Sequence, residues 1–140
     1  MPYVPPDPPV TPYLMVGNGA RALDWYLRAF GGRAVNRYDM EDGRLGHAML
    51  ELANGGAIYL ADEFPELGDR VGTRAPQTLG GTSVNISLAV DDVDAWLARC
   101  VAEGAQVLRP AEDDFYGRHA KVRDPWGHVW SMIGPKTGGA

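Results

Sequence analysis

The sequence has little cysteine, no long apolar run and no clustered positive charge. Cys100 is the only cysteine, so no internal disulfide can form. No run reaches the roughly 18 apolar residues that a membrane-spanning helix needs. The 13 basic and 18 acidic residues give a net charge of −5, which disfavours nucleic acid as a partner. No basic segment followed by an apolar stretch begins the chain. We therefore expect a cytoplasmic protein that binds neither nucleic acid nor membranes.

Glycine and proline are abundant but unevenly placed. The 140 residues include 18 glycines and 11 prolines, and six of those prolines lie within the first twelve residues. Proline cannot donate to a helical or sheet ladder, so residues 1–10 are predicted to form an extended, proline-rich arm. The glycines divide the rest of the chain into many short elements. The length suffices for one domain with a substantial core.

The first half of the chain predicts a strand, a helix and three further strands. An apolar strand over 13–16 meets a glycine-rich turn. A helix over 21–30 follows, with apolar residues at helical spacing and Gly31 and Gly32 as its stop. Strands over 34–38, 46–52 and 57–61 are separated by hairpin turn residues. Residues 63–81 show no clear period and are predicted to be a long connection.

The same order then begins again. A strand over 84–90 precedes a helix that Asp91 and Asp92 cap and Gly104 ends, and strands over 106–108, 120–123 and 129–133 follow. Val16 and Val90 are 74 residues apart, an offset that also aligns the helices, while His47 aligns with His119 at 72. We interpret the chain as two βαβββ modules, with chance similarity as the alternative. The predicted bounds are 11–62 for module 1, 63–81 for the connection and 82–134 for module 2, followed by a tail over 135–140.

Several motifs of the repeat are familiar. They are residues 16–26 with Phe30 and Gly31, residues 88–94, and the segment 124–130, which reads Asp-Pro-Trp-Gly-His-Val-Trp. They resemble the vicinal oxygen chelate superfamily, which includes glyoxalase I, extradiol dioxygenases and bleomycin-resistance proteins. Four shorter segments, at 46–47, 60–63, 80–81 and 115–117, are similar to its PhnB-like branch. The resemblance implies an α+β fold in which two modules form a curved mixed sheet around a cavity. It also implies a homodimer, with the modules paired within one chain or across the dimer.

The resemblance also identifies where such proteins hold a divalent metal. The corresponding positions here are Thr11, Asn85, Ser131 and either Tyr59 or Leu60. These side chains are poor ligands for zinc, iron or nickel, so we predict no metal and no cofactor. In the alternative, His47 and His119 rebuild a site with oxygen from Asp62 or Glu63. Otherwise His47 bonds a neighbouring backbone group or carboxylate, His119 is partly exposed, and His128 serves the turn after Gly127.

The remaining polar and aromatic positions predict a binding cavity. Strand alternation places near neighbours of the former metal positions on the same face. The predicted ligand-binding residues are Thr11, Tyr13, Tyr59, Asn85, Ser87, Tyr116, Trp126 and Ser131. Aromatic walls with uncharged hydrogen-bonding groups favour an aromatic or antibiotic-like organic ligand, and hence a protein that sequesters it.

Two other functions compete with sequestration. One is a lyase or isomerase of the glyoxalase type, dependent on a metal or using His47 as acid or base beside Asp114 or Glu63. The other is an interaction module whose cavity has collapsed. Cys100 is predicted to face the core, where burial disfavours its thiolate, so it is not a candidate nucleophile.

Overall fold

A computed structural model describes residues 7–137. Residues 1–6 of the predicted arm and 138–140 of the predicted tail lie outside the described residues. The elements in chain order are β1 (Tyr13–Val16), α1 (Gly19–Phe30), β2 (Arg33–Asp39), β3 (Leu45–Glu51), β4 (Ala57–Asp62), a 3₁₀ helix (Pro65–Arg70), α2 (Pro76–Leu79), β5 (Asn85–Ala89), α3 (Val93–Ala102), β6 (Gln106–Asp114), β7 (Gly117–Arg123) and β8 (Val129–Gly134).

The strands form two sheets of four with the same internal order. The first sheet runs β1-β4-β3-β2 and the second runs β5-β8-β7-β6. In each sheet the first pair is parallel and the other neighbours are antiparallel. The predicted fold of two βαβββ modules is therefore confirmed, with each module forming its own sheet.

Local sequence signals set the ends of the two long helices. The side chain of Asn18 accepts a hydrogen bond from the backbone N–H of Arg21 and begins α1. Gly31 ends the helix with a φ of 69°, which favours glycine. The side chain of Asp92 caps α3 in the same way, as predicted, by accepting from the N–H of Ala95. This helix ends at Ala102, with Glu103 as its cap, two residues before the predicted stop.

The helices bring the two modules together in one core. Both pack on the inner face of their own sheet and contact each other. Phe30 of α1 lies with its ring centroid 4.7 Å from that of Trp130 on β8. The indole N–H of Trp25 donates to the carbonyl of Glu103 over 2.6 Å, and that of Trp126 donates to the carbonyl of Gly17 over 2.6 Å. Because α1 and α3 lie on this side, neither helix covers the opposite face of its sheet, which is called here the open face.

Two segments differ from the sequence predictions. The connection is not featureless, since it contains the 3₁₀ helix and the single turn of α2. Strand β6 extends well beyond the predicted 106–108, to Asp114. Its pairing with β7 shifts register between Val107 and Arg109 and again between Arg109 and Glu112. These bulges accommodate Pro110, which cannot donate to the ladder.

The longest helix of the described residues is α1, with 12 residues. Within residues 7–137, no helix is long and apolar enough to cross a membrane.

Candidate functional site

The open face of the first sheet carries an aromatic cluster that consists of Tyr13, His47 and Tyr59. The hydroxyl of Tyr13 lies 2.8 Å from Nδ1 of His47. The ring of Tyr59 lies 5.2 Å from that of Tyr13 and 5.0 Å from that of His47, between centroids. Their neighbours in sequence, among them Leu14 and Leu60, point into the core. Strand alternation thus places the three rings side by side.

The contacts of His47 differ from the sequence expectation. Its hydrogen-bond partner is the phenol of Tyr13, not a backbone group or a carboxylate. The two carboxylates considered as its partners are engaged elsewhere. Glu63 accepts from the backbone N–H of Ala75 over 2.5 Å, and Asp114 pairs with Arg109 over 3.2 Å. An imidazole–carboxylate pair at His47 is therefore wrong for this structure.

A cavity of about 630 Å³, called here the first cavity, lies between this open face and the connection. Its lining is mainly apolar and includes Tyr13, Met15, Tyr38, Met40, Phe64 and Leu67. Tyr13 is 44% exposed, and partial burial raises the pKa of its phenol. The phenol therefore stays neutral at physiological pH and offers a hydroxyl beside an apolar wall. This volume and lining match an organic molecule of drug-like size.

Arg44 holds the rim of the first cavity. Its guanidinium forms a two-pronged contact with Glu66, with N–O distances of 3.0 and 2.6 Å, and also pairs with Asp42 over 2.9 Å. The same group lies 4.2 Å from the centroid of the Phe64 ring. Arg44 lowers the pKa of both carboxyl groups, so these pairs persist at neutral pH. The ion pair between Arg44 and Glu66 thus links the 3₁₀ helix to the residue that precedes β3.

The structure contains two further cavities. The second, of about 690 Å³, adjoins the first, because both are lined by Tyr13, Met15 and Thr73. The third, of about 310 Å³, lies at the tip of the β6–β7 hairpin and is lined in part by Tyr116.

The predicted ligand-binding residues fall into separate places. Tyr13 lines the first cavity, and Tyr59 lies beside it with its hydroxyl donating to Asp7. The hydroxyl of Thr11 donates to the carbonyl of Pro8 over 3.2 Å, in the segment that precedes β1. Tyr116 bonds to His119 at the hairpin tip. The sequence predicts that these side chains surround one cavity, whereas the structure separates them.

Trp126 is assigned to the core, not to a cavity wall. It is 7% exposed and its ring packs 6.1 Å from that of Trp25 and 6.0 Å from that of Tyr26, between centroids. The physical reason is its bond to Gly17, which draws the turn between β7 and β8 against module 1. The prediction that Trp126 contacts a ligand is therefore wrong for this structure, in which Trp126 packs in the core.

The other three predicted residues share the open face of the second sheet. Ser131 pairs in register with Ser87 on β5 and with Lys121 on β7, so these three form one row across the sheet. The hydroxyl of Ser131 donates to the side-chain oxygen of Asn85 over 2.9 Å. Lys121 was not singled out in the sequence. The signal that identifies it is the repeat offset of 72 residues, which makes Lys121 the equivalent of Met49 in module 1.

The donor set does not fit a transition metal. At the positions that the family resemblance identifies, Asn85 and Ser131 bond to each other, and Ser131 pairs in register with Lys121. Thr11 and Tyr59 are hydrogen-bonded elsewhere. Neutral amide and hydroxyl groups next to a cation are poor ligands for zinc or iron.

The alternative histidine set is also not assembled. His119 lies 3.1 Å from a guanidinium nitrogen of Arg109, whereas His47 belongs to the aromatic cluster of the other sheet. Asp62 accepts from the backbone N–H groups of Gly19 and Leu45. Within residues 7–137, no group of three or more His, Cys, Asp or Glu side chains is placed to hold a metal ion.

His128 serves the turn, as expected, and also links the modules. Its backbone N–H donates to Asp124 over 3.1 Å, and its Nε2 lies 2.9 Å from the carbonyl of Met15.

Comparison with known proteins gives consistent matches. The sequence model of the Glyoxalase/Bleomycin resistance protein/Dioxygenase superfamily matches residues 9–132. An uncharacterized protein of Mycobacterium bovis (strain ATCC BAA-935 / AF2122/97) is 40% identical over 131 residues, which are 92% of this chain and 84% of the relative. The crystal structure of TioX from Micromonospora sp. ML1 has a TM-score of 0.66 and 28% identity, over 88% of this chain and 92% of that chain. A PhnB protein from Bacillus cereus shares the fold at 17% identity, with a TM-score of 0.64 over 90% of this chain and 98% of that chain.

Proposed function

Since the chain belongs to the Glyoxalase/Bleomycin resistance protein/Dioxygenase superfamily, we propose that it binds and sequesters a small aromatic or antibiotic-like molecule in the first cavity. The observation that carries the proposal is an apolar, aromatic cavity of about 630 Å³ with a neutral phenol on its wall. Apolar area supplies the affinity for such a ligand, and a few hydroxyl groups fix its orientation.

We propose that this binding requires no metal. The support is chemical, since the positions that the family resemblance identifies carry hydroxyl, amide and phenol groups that bond to other side chains or to the backbone. Adding zinc, nickel or iron to chelator-treated protein is expected to leave ligand affinity unchanged. Stoichiometric metal in protein purified without added metal would contradict this proposal.

Isothermal titration with the neutral probe 2-naphthamide and a panel of aromatic antibiotics tests the site. The variant Thr73→Trp places an indole in the first cavity from its exposed wall and should abolish binding. Val101→Trp, at an exposed position of α3, is the matched control and should bind as the parent does. Equal binding by both variants, or no binding across the panel, would refute the proposal.

Acid–base catalysis of the lyase or isomerase type is the second candidate. The observation that favours it is the contact between His47 and Tyr13, because it places an imidazole one hydrogen bond from a cavity-lining hydroxyl. Such a pair can pass a proton to or from a bound molecule near neutral pH. For a ligand found by titration, conversion that disappears in His47→Ala while binding survives would favour an enzyme. Unchanged ligand after prolonged incubation favours sequestration.

We further propose that the protein is a homodimer. Apolar side chains of the β6–β7 hairpin, among them Val107, Leu108 and Phe115, are exposed, and Phe115 is 87% accessible. Exposed apolar side chains favour burial against a second copy of the chain, and contiguous apolar surface marks protein interfaces. Light scattering should give twice the chain mass of 15.2 kDa, and a monomer at micromolar concentration would contradict the proposal.

A further inference from the structure

The open face of the second sheet is rich in hydrogen-bond donors and positive charge. Lys121 lies on this face because its neighbours on β7, Ala120 and Val122, are fully buried on the helical side. Arg123 follows two residues later on the same face. Within the part of the chain that the structure describes, neither side chain pairs with a carboxylate, and Arg123 donates only to the neutral side chain of Gln106. Two uncompensated cations thus share one face.

The acidic side chains of the neighbouring strand β6 form ion pairs with arginine. Arg109 pairs in register with Lys121, but its guanidinium contacts Glu112 over 2.7 Å and Asp114 over 3.2 Å. Those two acidic groups are therefore committed to Arg109 and do not offset Lys121.

Two neutral polar groups on the same face as Lys121 can donate to a ligand. The side-chain oxygen of Asn85 accepts from Ser131, which leaves the amide NH₂ of Asn85 as the group available to a ligand. The hydroxyl of Ser87 lies in the same row as Ser131 and Lys121. An ammonium, an amide NH₂ and a hydroxyl together favour an acceptor with negative charge over a cation.

The row is flanked by apolar side chains. Val129 and Ile133 lie on the same strand and face as Ser131 and are half-buried, and Ala89 follows Ser87 on β5. A ligand whose oxyanion meets Lys121 can therefore place an apolar body on Val129 or Ile133. Lysine is a point charge that offsets one negative charge, in contrast to the paired donors that arginine presents to phosphate.

We propose that the open face of the second sheet is a binding site for the carboxylate of a small apolar organic acid, with Lys121 as its cation. This site is distinct from the first cavity and does not depend on the function proposed for it.

The test compares 2-naphthoate with its neutral isostere 2-naphthamide, by isothermal titration and by amide chemical shifts. In Thr73→Trp, whose first cavity is blocked, naphthoate should bind more tightly than naphthamide, and naphthoate should shift the amides of Ser87, Lys121 and Ser131. Lys121→Met installs the residue that module 1 has at the equivalent position, Met49. It should lower naphthoate affinity by roughly tenfold to a hundredfold, the usual range for a hydrogen bond to a charged group. Lys121→Arg should retain most of the affinity.

Lys136→Met is the matched control, because Lys136 is the only other lysine in the chain. Unchanged thermal unfolding of all three variants would establish that folding is intact. Equal naphthoate affinity in Lys121→Met and the parent would overturn the proposal, as would a lack of preference for naphthoate. Shifts confined to the first cavity would also overturn it. The first cavity is tested separately, by whether Thr73→Trp abolishes the binding of naphthamide. The two proposals can therefore fail independently.

Discussion

The hydrogen bond from Tyr26 to Asp124 should be a main determinant of how firmly the modules hold together. The hydroxyl of Tyr26, on α1, donates to Oδ2 of Asp124, which follows β7. The same carboxylate accepts from the indole of Trp130 over 2.9 Å and from the backbone N–H groups of Trp126 and His128. All of these groups are buried. Tyr26→Phe therefore removes one donor to a buried charge and leaves the other three in place.

A hydrogen bond to a charged group contributes about 1.5–3 kcal/mol net. We expect Tyr26→Phe to lower the free energy of unfolding by about that amount. For a domain of this size, the melting temperature should fall by roughly 5–10 °C. Urea unfolding followed by tryptophan fluorescence and by circular dichroism measures the change, and coincident transitions would establish two-state behaviour. Tyr38→Phe is the control, because Tyr38 is 61% exposed and its change should stay within about 0.5 kcal/mol.

The same pair predicts a dependence on alkaline pH. Burial and the charge of Asp124 raise the pKa of Tyr26 well above 10.0, the value for an unfolded chain. The protonated phenol is thus favoured by folding, so its stabilisation is complete below pH 10 and is lost as the pH rises further. Stability above pH 10 should fall less steeply in Tyr26→Phe than in the parent. Parallel curves, or a Tyr26→Phe variant as stable as Tyr38→Phe, would refute the reasoning.

Three further changes test other parts of the structure. Burial raises the pKa of Cys100 to about 12, so a thiol reagent at pH 8 should label it only after unfolding, and rapid labelling of native protein would contradict this. Arg44→Ala should speed amide exchange in the 3₁₀ helix with little change in global melting, whereas unchanged exchange would show that its ion pairs do not hold the rim. Gly32→Ala should destabilise by at least about 2 kcal/mol more than Gly55→Ala, because both glycines have φ near +90° but a Cβ at Gly32 would lie 1.8 Å from the carbonyl oxygen of Glu51. Equal losses in urea unfolding would contradict the steric account.

Most of the fold could be predicted because the signals are local and occur twice. Turn residues and helical spacing fixed the order of elements, and the offset between the halves identified the modules. The predicted length of β6 was wrong. Pro110 and the acidic residues after it are untypical of β-structure, yet β6 continues through them by shifting its register. Strand β2 contains a comparable irregularity at Asn36, which has a φ of 54°. Bulges depend on the partner strand, which a local pattern does not reveal.

The candidate site was less predictable, because it depends on contacts between distant segments. As a loop aromatic, Trp126 is predicted to contact a ligand, but its bond to Gly17, over a hundred residues away in sequence, places it in the core. The wall of the first cavity depends on Arg44 reaching the connection, a segment without a periodic pattern. A comparison of equivalent open-face positions in the two modules would have identified Lys121.

The two modules are more alike on the helical sides of their sheets than on their open faces. Equivalent positions on the helical side of the two sheets hold similar apolar residues, because both must pack against the same core: Leu14 and Leu88, Val16 and Val90, Ala48 and Ala120, Leu60 and Met132. On the open faces, His47 and His119 are the same, whereas three other pairs of equivalent positions differ in kind: Tyr13 and Ser87, Met49 and Lys121, Tyr59 and Ser131. Packing constrains the first set and leaves the second set free to vary. One face has become aromatic and apolar while the other has become cationic and donor-rich, so the two halves of one fold offer sites for two different chemical groups.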